Sequence, residues 1–322
     1  MKKWMALKMA LVCALLAGTS EAQFLQNEKQ FAADLLLQPV AGQTGVYKNK
    51  YYKAYVTSKK GLVTGASFVF NGEMQFRDLS SIVNYLFDDL YFEEERDLIK
   101  EWNSHVQNIR SRDGYSFTDD SLGYQLNLQG KDSKSYVLKM NLISRDLKSF
   151  PEDAVVYGDP AAKVSVQIFS DFQCPACKML SSEVLEKWKT TLPAQGVNIK
   201  YYHYPLDYHK NANPAALASE CARDQGKFWE YAEYLFETTG WLRKTGNDLT
   251  ESLIGLANRT GLDAAAFKTC YETAQHQDRI DQHIKAGDQV KVWGTPSVYV
   301  NGVPFGNWDD FSRLGALIQL AK

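Results

Sequence analysis

Cys174 and Cys177 enclose only Pro175 and Ala176, a spacing that places two sulfurs where they can exchange disulfides. The attacking species in that reaction is a thiolate, and a free cysteine with a pKa of about 8.5 holds little of it at neutral pH. At the start of a helix, open backbone N–H groups and the helix dipole stabilise the Cys174 anion. Pro175 suits such a first turn because it fixes a helical φ. We therefore expect an exposed Cys174 to attack and a partly covered Cys177 to resolve the mixed disulfide.

The same spacing is also compatible with a plain structural disulfide or with half of a zinc site. A zinc site needs two more ligands, and the nearby histidines in the sequence are His203 and His209. A bridge across two residues closes a very short loop and adds little stability. Exchange chemistry is the preferred interpretation, and neither a metal nor another cofactor is expected.

The surrounding pattern places the motif where a strand turns into a helix. Residues 164–169 form a mostly apolar run typical of a buried strand, and apolar residues at helical spacing follow the motif. We expect a strand at 197–204, a long helical stretch at 213–290, a strand with a hairpin turn at 297–302 and a closing helix at 309–321. The pattern predicts an α/β fold.

Residues 23–150 contain no cysteine, and their sequence pattern predicts a smaller α+β domain of unknown role. Alternating apolar residues indicate strands, and apolar residues at helical spacing indicate two amphipathic helices. The strands are expected at 50–57, 62–70, 123–128 and 135–142, the helices at 79–91 and 93–110, and the turns at 71–72 and around Gly130. A segment rich in prolines and acids at 149–160 is expected to separate this half from a second domain at 154–322.

Residues 1–22 have the three-part form of a secretory signal. Lys2 and Lys3 precede an apolar run at 9–17, and small and polar residues lead to Ala22. A membrane anchor is the alternative, but Lys8 interrupts the segment and the run is about half the length of a spanning helix. We expect cleavage near Ala22 and a soluble protein in the periplasm or another extracytoplasmic compartment.

The charge pattern excludes one class of partner. The formal net charge is −2 and no long run of like charges occurs, so nucleic-acid binding is not expected. No stretch after the signal is long and apolar enough to span a bilayer.

Of the five cysteines, Cys13 lies in the signal segment and is expected to be lost with it, so two further cysteines, Cys221 and Cys270, remain after the local pair. In an oxidising compartment four cysteines most naturally form two pairs, which leaves these two for a structural disulfide. Two buried free thiols are the alternative.

Four separated blocks carry a family resemblance. They are residues 169–177, residues 204–207 with His209, residues 225–229, and residues 294–297 followed by 300–302. Over about 154–322 the chain resembles the DsbA-like branch of the thioredoxin superfamily; we recognise no family in the N-terminal half. The resemblance implies a thioredoxin-like fold with a helical insertion at about 210–290. It also implies a cis peptide between Thr295 and Pro296 that faces the active-site sulfurs and shapes where a substrate strand lies.

The resemblance implies an enzyme that forms disulfides in exported proteins. Its partners are then reduced or misoxidised exported polypeptides and a membrane redox protein that recycles it. A disulfide isomerase or reductase, with the N-terminal domain used for substrate binding or for a homodimer, is the second hypothesis. A redox-inert binding or chaperone module is the third.

One position departs from the family pattern. Many relatives carry a buried acid six residues before the first cysteine, and Ile168 stands there in this chain. Asp171 and Lys178 are the nearest candidates for a proton route, although each is equally consistent with a solvated side chain. The motif therefore predicts exchange chemistry without its direction.

Overall fold

The computed structural model describes residues 24–50, 52–70, 104–111, 113–119, 123–130 and 136–322. They fall into two compact units: the first ends at Leu142, and the second comprises the residues from Ile143 onward together with the segment 120–123. Several predicted features lie outside the described residues: the signal at 1–22, the turn at 71–72, the helix at 79–91 and most of the helix at 93–110. The role of each unit as a domain stays a prediction.

The described part of the first unit is an antiparallel sheet with short helices. Its elements are α1 Glu28–Asp34, β1 Gln38–Pro39, β2 Val46–Lys48, β3 Tyr52–Lys59, β4 Leu62–Phe70, α2 Val106–Ile109, β5 Tyr115–Asp119, β6 Tyr124–Gly130 and β7 Tyr136–Leu142. The strands are ordered β1-β2-β3-β4-β7-β6-β5. Strands β3, β4, β6 and β7 lie where strands were predicted, whereas the short strands β1 and β2 and the edge strand β5 were not predicted.

A tight turn sets the register of β3 and β4. Lys60 and Gly61 both adopt left-handed backbone, with φ of 51° and 79°, as a two-residue hairpin turn requires. The strands then place Tyr52 beside Phe68 and Phe70, with ring centroids 5.5 Å apart in each pair. These buried aromatic rings form part of the core of the first unit.

The second unit combines a mixed sheet with helices. Its elements are β8 Val155–Tyr157, β9 Val164–Ser170, α3 Pro175–Met179, α4 Glu186–Thr191, β10 Val197–His203, α5 Ala212–Arg223, α6 Phe228–Glu237, α7 Gly246–Arg259, α8 Ala264–Glu272, α9 Gln277–Gln289, β11 Ser297–Val300, β12 Val303–Pro304 and α10 Phe311–Ala321. The strands are ordered β12-β11-β9-β10-β8. The alternation of strands and helices agrees with the predicted α/β fold.

The central strand β9 leads directly to the cysteine motif. It pairs in parallel with β10 and antiparallel with β11, and all seven of its residues are buried. A strand covered on both faces carries apolar side chains on both, and the mostly apolar run at 164–169 predicted it for that reason. The edge strand β8 was not predicted, because three residues are too few to show a period.

A π-helical segment, Leu180–Leu185, connects α3 to α4 without a break. Wider turns of this kind are rare and occur often at functional sites. Beyond the segment, α4 carries Trp188, which is fully buried and holds this end of the helix in the core.

The helices α5 to α9 form the insertion expected at about 210–290. Their buried face includes Tyr231, Leu253 and Phe267, each without exposed surface. The same hydrophobic cluster contains the sulfurs of the cysteine motif, so the insertion packs over the site. None of the described helices combines the length and the apolar character needed to cross a bilayer.

Candidate active site

Cys174 precedes the first turn of α3. Its backbone is extended, with φ −76° and ψ 125°, and Pro175 follows as the first helical residue. The Cys174 N–H donates to the Asp171 carbonyl oxygen at 3.2 Å, and the Lys178 N–H donates to the Cys174 carbonyl oxygen at 3.1 Å. The sequence therefore places the first sulfur at the open N-terminus of a helix.

The surroundings of Cys174 favour its thiolate. A hydrogen bond from the Cys177 thiol is the largest influence and lowers the pKa of Cys174 to about 5. Burial opposes this lowering, while Thr295 and the backbone N–H groups of Cys177 and Ala176 add to it. Most of the Cys174 population is thus ionised at neutral pH. The residue is only 8% exposed, less than the exposed sulfur expected, because it packs against the loop that carries Thr295.

Cys177 has the opposite character. It is 1% exposed, and burial, followed by the neighbouring Cys174, raises its pKa well above the usual range. The Asp171 N–H donates to the Cys177 sulfur at 3.4 Å. Cys174 and Cys177 are not joined by a disulfide in this structure.

The loop before β11 lies against Cys174. The peptide bond between Thr295 and Pro296 is cis, and the Cys174 sulfur lies 3.2 Å from the Thr295 carbonyl oxygen. The Ser297 hydroxyl donates to the Gly294 carbonyl oxygen at 2.7 Å across the bend. The structure thus brings together Cys174, Cys177, Thr295 and Pro296.

Asp171 anchors the loop between β9 and α3. Its carboxylate accepts hydrogen bonds from the backbone N–H groups of Gln173 at 2.6 Å and Leu206 at 2.9 Å, and it pairs with the His209 ring at 2.7 Å. The residue is 2% exposed, so the solvated side chain considered for it is wrong. An Asp that accepts from the N–H two residues later forms a common turn, and this spacing is the signal that sequence analysis missed.

His203 belongs to a buried polar network. It bonds Glu220 of α5 at 2.9 Å, and Glu220 also pairs with Arg223 and Arg279. Although burial alone would raise the pKa of Glu220, these cations and His203 hold it well below its usual range. The network links β10 to the helical insertion. No sequence signal marks it, because an acid on an amphipathic helix usually faces solvent.

Cys221 and Cys270, which are 49 positions apart in sequence, are joined by a disulfide between α5 and α8. Asp224 and His276 lie near this bridge, and their side chains are 2.7 Å apart. The Cys270 sulfur is within 4.8 Å of both groups, but its bond to Cys221 removes the thiolate that a metal would bind.

Comparison with known proteins identifies the second unit. Residues 151–319, more than half of the chain, match the family model described as Thioredoxin. Disulfide bond formation protein D of Bacillus subtilis is 25% identical over 169 residues, which are 51% of this chain and 75% of that protein. The crystal structure of oxidised BdbD from Bacillus subtilis superimposes with a TM-score of 0.46 at 24% identity, covering 56% of this chain and 97% of that one.

A second group of relatives is named as Na(+)/H(+) antiporters. The Na(+)/H(+) antiporter NhaA 1 of Salinispora arenicola is 36% identical over 155 residues, which are 47% of this chain. The chain spans 22% of the length of that antiporter. The family match confirms the predicted thioredoxin-like fold with its helical insertion.

Proposed function

The chain belongs to the thioredoxin family, and from that premise we propose that it is an exported thiol-disulfide oxidoreductase that forms disulfides in extracytoplasmic proteins. Cys174 and Cys177 are its redox pair, Thr295 and Pro296 shape its substrate site, and the Cys221–Cys270 bridge is structural. The relatives named disulfide bond formation protein D support this assignment.

The observation that carries the proposal is the difference between two neighbouring thiols. The pKa of Cys174 is lowered to about 5, whereas the pKa of Cys177 is raised by burial. An acidic first thiol is a good leaving group and stabilises the reduced form, which makes the disulfide more oxidising. This supports disulfide formation over the reductase alternative, whose pairs have lower reduction potentials.

The surroundings of the site suit an unfolded polypeptide. Three large apolar side chains of the second unit are exposed close in sequence to site residues: Met179 at 49%, Tyr208 at 74% and Trp293 at 75%. Met179 is two residues after Cys177, and Trp293 is two residues before Thr295. An extended chain can pair with the backbone of the Thr295 loop while its apolar side chains contact these three exposed residues.

The other parts of the proposal concern the cellular setting. A leader at 1–22 delivers the protein to an oxidising compartment, where reduced exported polypeptides are its substrates. A membrane redox partner reoxidises Cys174 and Cys177 after each cycle. Residues 23–150 contribute substrate binding or a homodimer contact.

A direct test mixes the oxidised full-length protein with a reduced, unfolded protein that contains cysteines. We expect disulfides to appear in the substrate as Cys174 and Cys177 become reduced, and a reduction potential nearer to about −120 mV than to about −270 mV. Cys174→Ser should lose the reaction. A matched control is the double variant Cys221→Ala/Cys270→Ala, which should retain it.

Two results would contradict the oxidase assignment. A potential of about −270 mV indicates a reductase. Efficient rescue of a scrambled substrate, with slow oxidation of a reduced one, indicates an isomerase. If Cys174→Ser leaves function in cells unchanged, the redox-inert binding module becomes the better description.

A further inference from the structure

Disulfide exchange requires Cys177 to carry a negative charge in the protein interior. When a substrate thiolate attacks the Cys174 sulfur, the bond between Cys174 and Cys177 breaks and Cys177 leaves with the electron pair. The reverse step needs the same anion as the attacking group. An anion at a site that is 1% exposed is unfavourable unless hydrogen-bond donors surround it.

The position that supplies an acid in many relatives has no polar group here. Ile168 occupies it, in the middle of β9. In the parallel register Ile168 pairs with Tyr201 of β10, and Ser170 pairs with His203. Because side chains alternate along a strand, these four residues share one face of the sheet. That face packs under α3, since Tyr201 and Cys177 belong to one buried cluster.

Ser170 is the last residue of β9 and directly precedes Asp171, whose N–H donates to the Cys177 sulfur. Burial raises the pKa of Cys177, and a hydrogen bond with the Ser170 hydroxyl opposes the rise, as does the Asp171 N–H at 3.4 Å. Ser170 is itself 4% exposed, so water does not screen this contact strongly.

The Tyr201 hydroxyl is the second hydroxyl on this face of the sheet, after that of Ser170. Its side chain is 2% exposed, and its hydroxyl has no hydrogen-bond partner among the described residues. Burial raises the pKa of Tyr201, so the phenol keeps its proton, and Ser170 is near enough to oppose that rise. A buried hydroxyl without a partner costs about 1–3 kcal/mol and calls for an explanation. A charge that appears only during the reaction provides one.

We propose that Ser170 and Tyr201 stabilise the buried Cys177 thiolate, and so take the part of the acid that Ile168 replaces. Ser170 donates to the charged sulfur, and Tyr201 is a positioning residue that donates to Ser170 as the charge develops. No proton transfer from either hydroxyl is required, because both act as neutral donors. This inference rests on the proposed function, since it concerns the Cys177 step of the same exchange.

Other ionisable groups around Cys177 affect the same titration. Cys174 on α3 interacts with Cys177 directly, and Asp171 precedes α3. Asp171 and Glu220 of α5 also raise the pKa of Tyr201 through their negative charges. The variants below leave all of these charges in place.

Stopped-flow mixing of the reduced full-length protein with dipyridyl disulfide separates the two steps. The first release of thiopyridone reports attack by Cys174, and the second reports attack by Cys177; Cys177→Ala shows the first alone. We expect Ser170→Ala to slow the second release by about tenfold or more, since a hydrogen bond to a charged group is lost. Its pH profile should shift to higher pH, while the first release stays unchanged.

The strands offer matched controls. Ser165 is a buried serine of β9 at odd spacing from Ser170, so it lies on the other face, and Ser165→Ala should leave both releases unchanged. Tyr202 follows Tyr201 on β10 and donates to the Pro151 carbonyl oxygen at 3.1 Å. Tyr202→Phe should leave the second release unchanged, whereas Tyr201→Phe should slow it about threefold without loss of folding stability, because its hydroxyl has no partner to lose.

Every result of these measurements either supports the inference or contradicts it. The inference fails if Ser170→Ala or Tyr201→Phe matches its control, or if a control slows the second release as much. Loss of the first release in the unmodified protein contradicts the proposed function instead. Circular dichroism and the free energy of unfolding identify any variant that is misfolded, and Tyr201→Phe then carries the test.

Discussion

The two cysteine pairs of the second unit lie in one hydrophobic cluster and yet have different chemistry. Cys174 and Cys177 close a loop of two residues at the start of a helix, where hydrogen bonds favour the thiolate of the first. Cys221 and Cys270 lie 49 positions apart in sequence, and their disulfide joins two packed helices. Burial alone therefore does not decide whether a disulfide is stable or reactive. Loop length and the donors around each sulfur do.

Removal of the long bridge should have the largest effect on stability. Cys221→Ala/Cys270→Ala frees a loop of about fifty residues in the unfolded chain and should lower the free energy of unfolding by about 4 kcal/mol. Cys174→Ala/Cys177→Ala should change it far less, because its loop is so short. Denaturant unfolding of both double variants checks the comparison. Equal losses would show that the two pairs are not distinguished in this way.

The second largest effect is expected in the pH dependence of stability, which should distinguish the redox pair from the Cys221–Cys270 pair. In the reduced protein the pKa of Cys174 is about 5, below its unfolded value of about 8.5. The thiolate therefore stabilises the folded reduced form at alkaline pH, and this stability is lost as pH falls from about 8.5 to about 5. Between pH 7 and pH 5 the loss should be about 2 kcal/mol.

Thermal unfolding of the reduced and oxidised proteins measures this effect. The reduced form should be the more stable of the two at pH 7, and the difference should narrow toward pH 5. Alkylation of Cys174 should show a midpoint near pH 5 in the same range. A midpoint near 8.5 would contradict the assigned hydrogen bonds.

A smaller effect is expected at the anchor of the active-site loop. Asp171→Asn keeps the size of the side chain but removes its charge, and so weakens the bonds to the Leu206 N–H and His209. Stability should fall by about 1–2 kcal/mol. Lys178→Gln, a change at the other residue considered for the proton route, should leave stability within about 0.5 kcal/mol. If both variants behave alike, Asp171 is not the anchor.

The main elements around the site were predictable from local patterns. The strand at Val164–Ser170 is a mostly apolar run, and the cysteine spacing with Pro175 identifies the start of α3. The neighbour of that strand, β10, was also expected from its apolar residues. These features depend on short-range sequence, which is why they could be read without the structure.

The polar contacts beneath the site were not predictable in the same way. Ser170 and Tyr201 are neighbours because of strand register, and Glu220 reaches His203 across seventeen positions of sequence. Such contacts form only when distant segments pack, and each side chain alone reads as an ordinary strand or helix residue. The exposure of Cys174 was overestimated for the same reason, since Thr295 lies 121 positions away.

The π-helical segment, Leu180–Leu185, gives the chain a sensitivity to insertions and deletions. Removing one residue within it would restore an α-helix and rotate the cysteine motif by about 100° relative to Trp188. The two sulfurs would then turn away from Thr295 while the far end of the helix kept its place in the core. A one-residue gap in this stretch of a related sequence therefore predicts that the fold is kept while the redox pair has a different orientation.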